Sequence, residues 1–177
     1  MPLLKGTKAI LKMMGTSIRQ GQLAAIFTHG KARWNMMHPQ AQESHSAETH
    51  SPLQDLQMWL KKKKKHTDRL HVYNRAIEEL QSLYRLFEMD TRLEILDAFV
   101  WIWEVADDFL PLLELPTQEA VAIFAYFCVV LKRLDDQWWL QGWADHLMSQ
   151  AYATLDEEHR LWIGWPIEQI GWIIPDR

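Results

Sequence analysis

The stretch from Ala120 to Trp172 limits what this chain can fold into more than any other. It reads AVAIFAYFCVVLKRLDDQWWLQGWADHLMSQAYATLDEEHRLWIGWPIEQIGW, and tryptophans stand in it at 138, 139, 143, 162, 165 and 172. Its apolar residues recur at helical spacing in two runs. Val121, Phe124, Ala125, Cys128 and Leu131 repeat at three and four. Trp139, Trp143, Leu147 and Ala151 repeat at four, with Trp138, Leu140 and Met148 widening that face. Such spacing predicts two buried helices. Asp135-Asp136 marks the break between them, and a carboxylate there can cap the second helix by accepting from its free N–H groups.

The rest of the chain also reads as helical. Leu3 to Met14 is amphipathic, with Lys5, Lys8 and Lys12 opposite the apolar side. A second helix is expected over 17–28, stopped from the first by Gly15. The basic helix has two readings, burial against the core or attachment to a membrane surface. From His29 to Pro52 the periodicity fades, and HPQAQESHSAETHSP reads as a flexible loop over 38–52. Its histidines (with His29, these are His38, His45 and His50) lack cysteines or carboxylates at ligand spacing, so no metal is expected there.

Leu53, Leu56, Trp59 and Leu60 point one way and lead into Lys61–Lys65. Five like charges cannot pack together, so the run is read as solvated. A nuclear localisation signal or a contact with an anionic polymer is the other reading. Thr67 or Asp68 should cap a helix carrying Leu70, Tyr73, Ile77, Leu80, Leu83, Tyr84 and Phe87 on one stripe. Leu93, Leu96, Val100 and Trp103 mark the next, flanked by Ile95, Phe99 and Ile102. A separate short helix is expected from Asp107 to Leu115, then one capped by Thr117 over 118–134, then one over 136–155. Asp156 should cap a last short helix, with Trp165-Pro166 and Gly171 ending regular structure. No useful stretch alternates with period two. The expected fold is therefore all-α, one helical domain of about seven or eight helices around a central antiparallel pair. Residues 1–37 would supply N-terminal helices and 53–177 the main helical unit.

Composition excludes several functions. The single cysteine, Cys128, permits no internal disulfide and no zinc site built on paired cysteines. It lies on an apolar helical face, as a buried inert thiol does. No apolar run reaches the ~18 residues that span a bilayer. Basic residues outnumber acidic ones over 1–90, and the balance reverses over 91–177. The halves can attract each other, or the basic half can face an acidic partner. Asp107-Asp108, Asp135-Asp136 and Asp156-Glu157-Glu158 sit where helices begin, at the wrong spacing for a shared magnesium, so capping explains them. His146 and His159 lack a nucleophile held against them, Ser149 near His146 included. No phosphate loop or nucleotide, haem or flavin motif occurs. No catalytic residue, metal or cofactor is assigned.

The aromatic stripe (Phe124, Phe127, Trp138, Trp139, Trp143, Trp162 and Trp165) is either plain core or the wall of a cavity for a rigid apolar ligand. In the cavity reading Phe124, Phe127, Trp139, Trp143 and Met148 hold the apolar body. One of Tyr126, Gln141, His146 and Tyr152 then holds a single hydroxyl.

A family resemblance bears on that choice. Trp138-Trp139, Gly142-Trp143, His146-Leu147 and Trp165-Pro166, following a helix that ends in Leu-Lys-Arg-Leu, together resemble the C-terminal end of fungal Zn2Cys6 transcription factors. The sterol uptake control group is the nearest in pattern, from about Leu93 to Trp172. The resemblance implies an apolar helical pocket for ergosterol, a homodimer, and residence in cytoplasm and nucleus. Members of that family begin with a six-cysteine zinc cluster that docks in DNA. One cysteine cannot build it, so the expectation is a ligand-sensing regulatory domain without that part and without direct DNA binding. The alternatives are a small helical enzyme or accessory protein of lipid or terpenoid metabolism on the same scaffold, and a dimerisation domain without a small ligand.

Overall fold

The computed structural model describes residues 51–63, 68–88 and 95–175, with the isolated positions Thr28, Ala32, Asn35 and Met36. The expected helix over 3–14, positions 38–50 of the expected loop, and Lys64, Lys65, Thr67, Leu93 and the Phe87 side chain lie outside the described residues; the loop ends earlier than expected, since Ser51 is the N-cap of a helix and Pro52 its first residue. Ala32, Asn35 and Met36 are helical, beyond Thr28, the expected end of the second helix. Among the described residues seven further helices follow: α1 Pro52–Lys62, α2 Leu70–Glu88, α3 Ile95–Glu114, α4 Gln118–Arg133, α5 Trp143–Thr154, α6 Glu157–Trp162 and α7 Gly164–Ile170. Among the described residues no strand occurs, so the chain is all-α as expected.

α4 is the axis of the molecule. Its sequence is apolar on every side, and a helix of that kind must be covered all round. It packs against α2, α3, α5, α6 and α7. Val121, Ala122, Ile123, Ala125, Tyr126, Phe127, Cys128, Val129 and Val130 are all buried. The pairing with α5 is antiparallel. Gln118 Nε2 at the start of α4 donates to the Thr154 carbonyl at the end of α5, while Lys132 near the end of α4 meets Asp145 in the first turn of α5.

Local signals set most boundaries. Ser51 and Gln54 form a capping box ahead of Pro52 at the start of α1. Leu53, Leu56 and Leu60 are buried as expected. Asp156 caps α6 by accepting the His159 N–H at 2.8 Å. Gly171, at φ +71°, closes α7 in the left-handed region that favours glycine. Thr117 caps α4 by accepting the Ala120 N–H at 3.3 Å, and its Oγ1 also lies 3.0 Å from Tyr73 Oη on α2. Thr117→Ala should therefore lower stability by about 1 kcal/mol in urea unfolding, the typical worth of an N-cap. A loss under about 0.3 kcal/mol would show that Thr117 contributes little beyond an ordinary surface residue.

Several expectations are corrected. The short helix from Asp107 is continuous with α3, which passes through Pro111. Proline removes one helical N–H, but burial of Phe109 and Leu113 on either side outweighs that lost bond. The buried face of α3 is Ala98, Trp101, Val105, Phe109 and Leu113, together with Val100, whereas Trp103 is only half-buried. Trp165-Pro166 does not end regular structure. Both lie in the first turn of α7, where a missing N–H costs no helical bond. The helix expected over 136–155 begins only at Trp143.

Candidate functional site

The delayed start of α5 creates the most unusual feature of the surface. Residues 134–142 wind through consecutive tight turns. Gln137 N–H donates to the Leu134 carbonyl at 3.0 Å, Leu140 N–H to Gln137 at 2.8 Å, and Trp143 N–H to Leu140 at 2.9 Å. Gly142 then reverses the backbone at φ +78°, a conformation that side-chain-bearing residues rarely adopt. Asp135 does not cap α5 with its neighbour Asp136 but spans the turn, its Oδ1 accepting the Gly142 N–H at 2.9 Å. Lys132 Nζ lies 3.4 Å from Asp135 Oδ2 and 2.9 Å from Asp145 Oδ2. The Asp145 hydrogen bond is the largest influence holding the Lys132 ammonium above its ordinary pKa. One lysine thus ties the end of α4, the turn and the start of α5 together.

This braced turn carries three tryptophans into solvent. Trp138 is 85% exposed, Trp139 38% and Trp143 44%. Leu140, between them, is buried and anchors the turn. Trp139 stacks on Phe99 of α3, with centroids 6.5 Å apart and planes 11° apart. Indole rings carry large apolar area, so the turn displays a concentrated apolar surface on a fixed backbone.

The expected pocket residues separate into two groups. Phe127 and Met148 are fully buried in the core, where Phe127 stacks on Trp101 at 4.4 Å. Phe124 is half-buried, 6.0 Å from Phe127. Trp139, Trp143 and His146 stand at the surface instead of on a buried face. The reason is local: Trp139 precedes α5, so its spacing of four from Trp143 is not a helical turn. The polar candidates divide as well. Tyr126 Oη donates to the Trp162 carbonyl at 3.0 Å, Tyr152 packs between Arg160 and Trp172, and Gln141 is exposed.

A second constellation joins α1 to α6. His159 is buried, and its Nδ1 lies 2.7 Å from Asp156 Oδ1. Its Nε2 lies 3.0 Å from Lys63 Nζ, just beyond α1. Lys63 also meets Glu158 at 3.0 Å and lies 5.2 Å from the Trp162 ring centre. Trp162 stacks on Trp59 at 5.9 Å. The His159 backbone N–H, and then its ring, hold the Asp156 carboxyl below its ordinary pKa. Asp156 and His159 have the contact of an acid–base pair, but both imidazole nitrogens are engaged, one of them by an ammonium. The chain's one thiol, Cys128, is buried within α4. The arrangement therefore clamps two helices. It also corrects the reading of the lysine run: Lys61 and Lys62 are exposed, whereas Lys63 is held in place. Alternation of charge and apolar residues gave no signal for this contact, which spans 96 positions of sequence.

Among the described residues no group of histidine, cysteine, aspartate and glutamate is placed to hold a metal, and no helix is long and apolar enough to cross a membrane. No family model, curated protein or solved structure matches the chain.

Proposed function

We propose that this domain is a ligand-sensing regulatory module of the kind its tryptophan signature resembles, the C-terminal domain of fungal Zn2Cys6 regulators of the sterol response. The observation that carries the reading is the braced turn with Trp138, Trp139 and Trp143 in solvent. In this reading a sterol-like apolar molecule lies against Trp139, Trp143 and Phe99. His146, one turn beyond Trp143 and exposed, offers a partner for a single hydroxyl. This moves the ligand from between the helices, where spacing alone suggested it, to the surface at the end of the α4–α5 pair. Burying several hundred Å² of sterol at about 25 cal/mol per Å² leaves room for micromolar binding after association costs. The same reading has the domain act as a homodimer in cytoplasm and nucleus. Contact with DNA is not part of it, since one cysteine cannot form the six-cysteine cluster.

Titrating ergosterol while following tryptophan fluorescence tests it. The expected result is a saturable change, with affinity weakened about tenfold or more in Trp143→Ala, the loss of roughly 1.4 kcal/mol of contact. Trp143 is half in solvent, so this variant should keep its fold. No saturable change, or an affinity in Trp143→Ala and Trp139→Ala unchanged from that of the unsubstituted protein, would remove the proposal.

A further inference from the structure

We propose that His159 and Lys63 form a proton-operated latch that holds the end of α1 to α6 and opens on acidification. The inference does not depend on the sterol reading. The atoms impose the mechanism. An ionised Asp156 carboxylate can only accept, so the His159 nitrogen 2.7 Å away, Nδ1, carries the hydrogen. Nε2 then has a lone pair, and it accepts from the Lys63 ammonium at 3.0 Å. The closed latch is a neutral imidazole with a carboxylate on one side and an ammonium on the other.

A proton that arrives at Nε2 takes the lone pair. Lys63 has no acceptor to offer in return, and two cations then face each other at hydrogen-bond distance. The imidazolium keeps Asp156, now as an ion pair, and Lys63 must leave. Histidine is the side chain that ordinarily makes this change between about pH 5 and 8. The surrounding charges do not offer a substitute. On α6, Glu158 holds Lys63 only at an exposed site, with 62% of its side chain in solvent. From α1, Asp55 acts on Tyr126. From α4, Tyr126 Oη is occupied by the Trp162 carbonyl, and Gln118 Oε1 accepts the Asp156 N–H. The ionisable group of α7, Glu168, is exposed.

Opening is confined to one end of α1. Leu53, Leu56 and Leu60 stay buried, while Lys63 swings off the Trp162 ring and its N–H bond to the Leu60 carbonyl frays. The third lysine of the basic run is then available to an acidic partner.

Amide hydrogen exchange at residues 61–63, corrected for the intrinsic rate, reads the latch directly. Protection should fall about tenfold between about pH 7.5 and pH 5.5. Ring-nitrogen NMR of His159 should show Nε2 gaining its proton as that protection is lost. Lys63→Gln, at a partly exposed position, should show low protection at both pH values. Protection that does not change with pH, or a pH response that persists in Lys63→Gln, would overturn the proposal.

Discussion

Trp101→Ala should lower the unfolding free energy by about 3–5 kcal/mol, the cost of a large cavity in a packed core. No other side chain on α3 is placed to lose as much. Trp101 is 2% exposed, stacks on Phe127 of α4 at 4.4 Å and 15°, and meets Phe109 edge-on at 5.9 Å and 70°. Its Nε1–H donates to the Ala76 carbonyl on α2 at 3.0 Å. One residue therefore joins α2, α3 and α4. Neighbouring helices cannot collapse into the space without breaking their own contacts, so the cavity term persists. Trp101→Phe keeps the stack and loses the hydrogen bond. The Ala76 carbonyl lies within a helix, so that change should cost less, about 1–2 kcal/mol. Urea unfolding of both variants measures the difference. A Trp101→Ala loss under about 1 kcal/mol would mean that the three-helix junction is not where the core is held.

Stability should also fall steeply in alkali, and Cys128 and Tyr126 are the reason. Burial pushes the thiol of Cys128 well above its ordinary pKa. Burial, and then the charge of Asp55, does the same to the Tyr126 hydroxyl. Tyr84, whose Oη donates to the Tyr126 carbonyl at 2.8 Å, is raised by burial as well. In the unfolded chain these groups ionise near about pH 8.5 and 10, while the native state keeps its protons. Above those values the native state binds more protons than the unfolded one, so stability decreases as pH rises. Each group adds a slope of about 1.4 kcal/mol per pH unit once its unfolded pKa is passed. Between about pH 8.5 and 10 the thiol acts first, and beyond about pH 10 the tyrosines join it. Urea unfolding across this range, with reductant present, should show the slope steepen. Cys128→Ala should remove the earlier part and leave the later one. A stability profile flat to about pH 11 would contradict the burial of these groups.

The sequence alone determined the class of the fold, its axis and several helix ends. Four-residue and three-residue spacing is a local consequence of helix geometry, so the buried leucines of α1 and the stripe of α2 were legible before any contact was known. Thr117, Asp156 and Gly171 were legible for the same reason, since a cap satisfies backbone groups within a few residues of itself. The burial of Cys128 followed from its place on an apolar helical face.

What the tertiary structure decided lies where local rules compete or fall silent. The run Ile95–Trp103 is apolar at every position but Asp97, so spacing does not choose between its faces, and packing against α2 and α4 selected Trp101 over Trp103. From 134 to 142, short-range hydrogen bonds to Asp135 and a left-handed Gly142 displaced a helix whose apolar spacing looked sound, and sent three tryptophans outward. Lys63 reads as one of five solvated lysines until α6 is brought against α1, when His159 and Glu158 hold it. Periodicity reports the neighbours a residue has along its own helix; which distant helix completes a site is set by how all of them pack.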